Sequence, residues 1–225
     1  MRTPVTAQAV VPASCVLPYT LPDAALMDDL ESPYRSLAWI PPGPVVVLGC
    51  SSRLERAVEE ERVRLDRVPV QRRPSGGESM FLSPRMAAIS LTLDLGARPL
   101  PRTLFDATGA ALIGALEGLG VTGLSVRGTS DLTLGERKVL GSAIYQRGTR
   151  LFYHAVLNVA EEPAMIQRYL RHPAREPQYR QGKLHEDFVT SLAREGFSLG
   201  PEVCREAMAS AFAVNPLCVG ASSRC

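Results

Sequence analysis

Between residues 124 and 159 the chain reads as four short apolar-rich strands separated by tight turns, and this stretch constrains the fold more than any other. The runs cover residues 124–126, 131–134, 139–146 and 151–159. Gly135-Glu136 and Gly148-Thr149 stand where hairpin turns are expected, with glycine tolerant of the backbone such turns need. Earlier strands are expected at 45–48, after the breaker Pro41-Pro42-Gly43-Pro44, and at 68–72 and 86–95, the last alternating over its second half. Helices are expected at 23–30 with Asp23 as N-cap, at 54–65, and in the tail at 163–170, 185–194 and 202–213. The clearest is 103–119, where Leu104, Ala107, Ala111, Leu112, Ala115, Leu116 and Leu119 form one stripe and Gly120 stops the helix. Strands are interrupted by helices rather than strictly alternating with them. That predicts an α+β fold: one mixed, largely antiparallel sheet with helices packed on it. Residues 1–225 are read as a single domain, irregular over 1–20.

Composition excludes several classes. The 225 residues are 45% hydrophobic and 21% charged, with a formal net charge of +2, so nucleic-acid binding has no support. No apolar run approaches the roughly 18 residues of a membrane helix, and residues 1–16 lack the long apolar core of a signal peptide. A cytoplasmic protein with no membrane partner is expected. The five cysteines, Cys15, Cys50, Cys204, Cys218 and Cys225, contain no C-x-x-C pair, so they are read as reduced, buried thiols and no metal site is expected. Only two of the 25 basic residues are lysines, Lys138 and Lys183. In an arginine-rich chain, a retained lysine can mark chemistry that a delocalised guanidinium cannot supply, although coding bias alone also gives this pattern.

Three segments could carry chemistry. Arg72-Arg73-Pro74-Ser75-Gly76-Gly77 follows a strand; its glycines allow close backbone approach and its arginines offer charge-assisted donors to an anion. The alternative is a polar turn beside a solvated basic pair. Residues 128–143 run from a glycine turn through Asp131 to Lys138 and then to the small patch Gly141-Ser142-Ala143. Strict alternation would put Lys138, Leu140 and Ser142 on one face and Val139, Gly141 and Ala143 on the other. A hairpin with exposed turn charges explains Glu136 and Arg137 but not the small residues, which usually make room for a backbone or ligand. His154, in the last strand, could approach that patch or be a hydrogen-bonded structural residue.

Taken in order, these segments resemble the lipoate–protein ligase catalytic domain, a relative of the biotin ligase domain. The resemblance rests on R-R-x-S-G-G from Arg72, on S-D-L-x-L-x-x-R-K-V-x-G-S-A from Ser130, and on His154. The segment D-A-A-L-M-D-D-L from Asp23 is similar to the family's first helix, and Arg175-Glu176-Pro177-Gln178-Tyr179-Arg180 with His185-Glu186-Asp187-Phe188 resembles a segment of compact members. The resemblance implies that lipoate, or octanoate, attacks ATP to give an acyl-adenylate, which then acylates a lysine of a lipoyl carrier domain or a glycine-cleavage H-like protein. Magnesium would accompany ATP. Lys138 would meet the acyl carbonyl and α-phosphate, where negative charge develops, and Asp131 would orient the incoming lysine or the ligand. Arg72, Arg73, Ser75, Gly76, Gly77, Gly141, Ser142, Ala143 and His154 would bind the acyl-adenylate. The chain departs from the family pattern at Glu78, where a third glycine is usual, and at Leu82-Ser83, where a histidine–aspartate pair is usual. No C-terminal accessory domain is expected within these residues, so a separate accessory subunit is a candidate partner. Two alternatives share the fold: an octanoyl or lipoyl transferase, for which Cys50 is the candidate nucleophile, and a non-catalytic protein that holds an acyl group or carrier.

Overall fold

The computed structural model describes residues 16–29, 31–96 and 104–219. In chain order its elements are β1 (Val16–Pro18), α1 (Ala24–Asp28), β2 (Tyr34–Trp39), β3 (Val45–Leu48), α2 (Leu54–Ala57), α3 (Glu60–Leu65), β4 (Val70–Arg72), β5 (Met80–Leu82) and β6 (Met86–Asp94). There follow α4 (Leu104–Glu117), β7 (Leu124–Arg127), β8 (Asp131–Leu134), β9 (Arg137–Arg147), β10 (Arg150–Asn158), α5 (Pro163–Tyr169), a 3-10 turn at Gln178–Arg180, α6 (His185–Phe188), α7 (Pro201–Ala211) and α8 (Pro216–Val219).

The fold is α+β with antiparallel pairing dominant, but the strands make two sheets rather than the single sheet expected. The large sheet runs β2-β6-β10-β9-β8-β7 and is antiparallel throughout. The small sheet runs β1-β4-β3-β5, with β4 parallel to both neighbours and β5 antiparallel to β3. Strand β6 shows why two layers form. Eight of its nine residues are buried, because both faces are covered. Ala87, Ile89, Leu91 and Leu93 join Leu104, Leu112 and Leu116 of α4 and Cys204 and Met208 of α7 in one core. Met86 and Ala88 join Trp39, the four residues of β3, and Phe81 and Leu82 of β5 in the other. The functional cluster described below lies on this second, inter-sheet side.

Several boundaries move for identifiable reasons. The helix expected over 54–65 breaks after Ala57, because residues 57–59 pair with 169–171 instead: Glu59 N–H donates to Tyr169 O at 2.9 Å and Arg171 N–H to Ala57 O at 3.1 Å. The helix expected over 185–194 stops at Phe188, because Val189 bridges Lys138 and Thr190 N–H donates to the Lys138 carbonyl at 2.8 Å. Asp23 occupies the N-cap position of α1, as expected, but its side chain makes no capping hydrogen bond. Its buried carboxylate accepts the Tyr19 hydroxyl and the Ser90 hydroxyl, each at 2.7 Å. Of the expected irregular start, residues 1–15 fall outside the described residues, whereas 16–18 form a strand. The ends of the expectations at Leu30 and Thr103 fall outside them as well.

Candidate active site

The position of Lys138 is set by an irregularity in the β8–β9 hairpin. Asp131 stands opposite Gly141 and Leu132 opposite Leu140, but Thr133 stands opposite Lys138, so Val139 is an extra residue in β9. Such a bulge turns two successive side chains toward one face. Val139 and Leu140 both pack into the helix-side core. The expected alternation is therefore overturned: Lys138 shares its face with Gly141, not with Leu140 and Ser142. A Cβ on Gly141 would lie 2.6 Å from both Cε and Nζ of Lys138, so the lysine crosses the space that glycine leaves. Its ammonium reaches Asp131 Oδ1 at 2.8 Å, while Tyr179 donates its hydroxyl to Oδ2 at 2.8 Å. The carboxylate is thus engaged on both oxygens. The lysine side chain keeps 30% of its surface exposed, against 9% for the aspartate.

The Ser-Gly-Gly loop meets the small-residue patch of β9. Gly77, at φ +90°, would carry a Cβ 3.0 Å from Arg73 Nη2 and 3.9 Å from the Ala143 side chain. Gly49, at the end of β3, is closer still: a Cβ there would sit 2.0 Å from the Gly77 carbonyl oxygen. Arg73 lies buried beneath the loop, donating through Nη2 to the Gly76 carbonyl at 2.8 Å and the Glu78 carbonyl at 2.9 Å. Arg72 points elsewhere. Its Nη1 binds the carbonyls of Gly49, Cys50 and Ser52, so it clamps the loop after β3 instead of facing a ligand. Ser142 is also turned away, its hydroxyl donating to the Ser130 carbonyl at 2.9 Å. Gly141 and Ala143 flank it on the inter-sheet side.

His154 stands opposite Ala143 on one side and Ser90 on the other. Burial, with the charge of Arg73 nearby, pushes its imidazole down to about 3, so it is neutral at physiological pH. Burial likewise pulls Arg73 below the usual arginine range. Among the described residues, His154 Nε2, Arg73 Nη1 and Ser75 Oγ are all buried without a hydrogen-bond partner. Native interiors seldom leave such atoms unmet unless a ligand or solvent meets them. Sequence reasoning assigned all three to a ligand, but it missed Tyr19, Asp23, Trp39 and Ser90, which form a linked polar cluster alongside, with Trp39 Nε1 donating to Ser90 Oγ at 3.2 Å.

A cavity of about 190 Å³ opens beside Lys138 and Gly141, with an apolar wall from Phe81, Val156, Ile166 and Phe188. A second, of about 460 Å³, shares Glu78, Ser79, Leu170, Pro173, Arg175 and His185 with it, and its remaining wall includes Arg53, Arg56 and Arg171. Glu78 is exposed at the shared rim, and its charge is felt by Arg73 and Arg180. Cys50, expected to be buried, is exposed; its N–H donates to the Ser75 carbonyl at 3.0 Å. Cys204 is buried, as expected.

A lysine held by a carboxylate, beside a glycine loop and an apolar cavity between two sheets, is an arrangement suited to an anionic acyl compound. The model of the lipoyl protein ligase A/B catalytic domain matches residues 23–213, and the chain belongs to that family. A provisionally named lipoate-protein ligase A of Aeropyrum pernix is 29% identical over 130 residues, which are 58% of this chain and 48% of that protein; the chain spans about half the length of this curated relative. Among solved structures, a bi-partite lipoate protein ligase from Thermoplasma acidophilum, studied with its E2 lipoyl domain, superposes with a TM-score of 0.68 at 16% identity, over 80% of this chain and 70% of that one. A lipoate-protein ligase A bound with ATP gives 0.67 at 17% identity, over 80% and 71%. A T. acidophilum protein with bound lipoic acid gives 0.66 at 17%, over 80% and 71%. At these identities the superpositions establish the shared fold.

Proposed function

We propose that this protein activates lipoate, or a medium-chain acid such as octanoate, with ATP and transfers the acyl group to a lysine of a lipoyl carrier domain. The observation that carries this reading is the Lys138 ammonium, fixed across Gly141 by Asp131 at the mouth of an apolar cavity. In the first step the carboxylate attacks the α-phosphorus of ATP and pyrophosphate leaves. In the second, the carrier's amine attacks the acyl carbonyl and AMP leaves. Negative charge grows on the phosphate and then on the carbonyl oxygen, and a positioned cation stabilises both. Asp131, with both oxygens occupied, serves to hold Lys138 and Tyr179 in place rather than to take a proton. Arg73, Ser75 and His154 offer unpaired polar atoms to the bound compound, and the Gly77 backbone gives it room. The solved relatives with lipoic acid and with ATP support this choice of substrates, and the bi-partite relative supports a lipoyl carrier as acceptor and a separate accessory subunit as a second partner.

Among the described residues no three His, Cys, Asp or Glu side chains converge on a metal position. Magnesium would therefore arrive with the phosphates of ATP rather than in a cage built by protein, as is usual for nucleotide substrates. None of the described helices is long and apolar enough to cross a membrane.

The test is a mass spectrum of a lipoyl domain after incubation with the protein, ATP, magnesium and either lipoate or octanoate. A mass increase of one acyl group is expected. An unmodified domain with both acids, alone and with an accessory subunit, would overturn the reading. One observation favours a second reading: Cys50 is exposed, next to Ser51 and Ser52 of the basic cavity. If the protein transfers octanoyl between carriers through a thioester, incubation with octanoyl-carrier will leave an acyl group that Cys50→Ser abolishes.

A further inference from the structure

Arg180 is 4% exposed, an unusual degree of burial for a guanidinium, and it lies in the wall of the cavity that holds Lys138. One edge of the group is committed. Nε donates to the Lys183 carbonyl at 2.9 Å, and the Glu176 carboxylate stands 3.5 Å away. The guanidinium carbon lies 4.8 Å from the centre of the Phe188 ring. The other edge is not committed: Nη2 is buried and has no partner among the described residues. Glu176 faces Nε and is shared, its oxygens also meeting His172 at 3.0 Å and the Gly182 N–H at 2.9 Å, so it leaves Nη2 unmet. A buried charge with an unmet donor is costly unless something anionic completes it.

The preceding residue ties this position to the active lysine. Tyr179 donates to the same carboxylate that holds Lys138, packs its ring at a tilt against Phe188 with ring centres 5.1 Å apart, and lies against the Gly128 turn. The short turn Gln178–Arg180 therefore fixes Asp131 with one side chain and places a guanidinium in the cavity with the next. We infer that Arg180 is a second anion-binding cation of this site, donating through Nη2 to the phosphate that the acyl-adenylate presents to Lys138. This rests on the ligase reading above and assigns the phosphate a partner that the glycine-loop motif does not contain. Burial lowers the proton affinity of Arg180, and an arriving phosphate would restore it, so the bound anion and the buried cation stabilise each other.

The experiment compares AMP with adenosine, which differ by the phosphate, in binding to the wild type, Arg180→Gln and Arg180→Lys, with thermal unfolding as a check. In Arg180→Gln the AMP affinity should fall roughly tenfold or more, as for loss of a charge-assisted hydrogen bond. Adenosine affinity should stay within about twofold of wild type, and Arg180→Lys should be intermediate for AMP. A loss no larger for AMP than for adenosine would overturn the assignment; if the glutamine variant does not fold, the lysine variant is judged by the same comparison. A wild type that binds neither compound would overturn the ligase reading together with this one, an outcome distinct from wild-type binding that the substitutions leave unchanged.

Discussion

Gly141 does for Lys138 what no other residue could, since any side chain there would occupy the path of the lysine stem. Gly141→Ala puts a carbon 2.6 Å from the lysine terminus, which is flexible and can move aside. Stability should change by no more than about 1 kcal/mol. Acyl transfer should fall on the order of a hundredfold, as expected for a displaced catalytic group, and normal turnover in that variant would remove the ion pair from the mechanism. Lys138→Arg should fold normally yet lose transfer, because a planar guanidinium cannot follow the same path; carrier acylation assays check this directly. The two buried histidines contribute to the acid response. In the folded protein burial holds His154 at about 3 and His185 at about 4, against 6.5 for the unfolded chain. Below 6.5 the unfolded chain binds protons that the folded one refuses. Their contribution is thus present above 6.5 and lost as pH falls from 6.5 toward 4, with a slope of about 1.4 kcal/mol per pH unit for each histidine. Urea midpoints across this range should fall less steeply in His154→Gln than in wild type; parallel profiles would count against a neutral buried His154. That Arg73, Ser75, Gly77, Asp131, Lys138 and His154 belong to one candidate site is legible because motif glycines and lone polar residues stand out in the chain. Tyr179 and Arg180 lie in a segment singled out only by its resemblance to compact family members, and nothing local announces that the turn folds back onto Asp131.

At the scale of elements, the meander β7–β10 is legible because alternation and turn glycines are local properties. Strand β2 is not: Tyr34-Arg35-Ser36-Leu37-Ala38-Trp39 is a half-buried edge whose apolar and polar residues do not separate cleanly by face. The broken α2–α3 segment and the shortened α6 also escape, because each yields to backbone pairing with residues far along the chain. Arg72 is the instructive error, a motif residue whose guanidinium holds three carbonyls of the loop after β3. Arg72→Ala should destabilise the fold by about 1–3 kcal/mol, the loss of several charge-assisted bonds. It should leave AMP affinity close to wild type in the fraction that remains folded. A selective loss of nucleotide binding without destabilisation would return Arg72 to the ligand.

For the whole molecule, the two cores assign different tasks to the two faces of the large sheet. The helix side is mostly apolar packing, whereas the inter-sheet side carries the unpaired polar atoms of Arg73, Ser75 and His154 and the cavity beside Lys138. A non-hydrolysable lipoyl- or octanoyl-adenylate should therefore stabilise the folded chain by about 2.7 kcal/mol at a hundred times its Kd. Thermal unfolding would then shift upward by roughly 5–10 °C for a chain of this size; no shift with either compound would argue against an adenylate site. The bulge in β9 carries a last consequence. Val139 is one residue more than its partner strand supplies, and the side on which a further residue is added decides which layer receives the ammonium. One residue inserted between Lys138 and Val139 would carry the lysine from opposite Thr133 to opposite Leu134, driving a charge among Leu132, Leu134 and Leu140. Deleting Val139 keeps Lys138 opposite Thr133, and lengthening the Gly148 turn lies beyond the site, so the insertion alone should lower soluble yield.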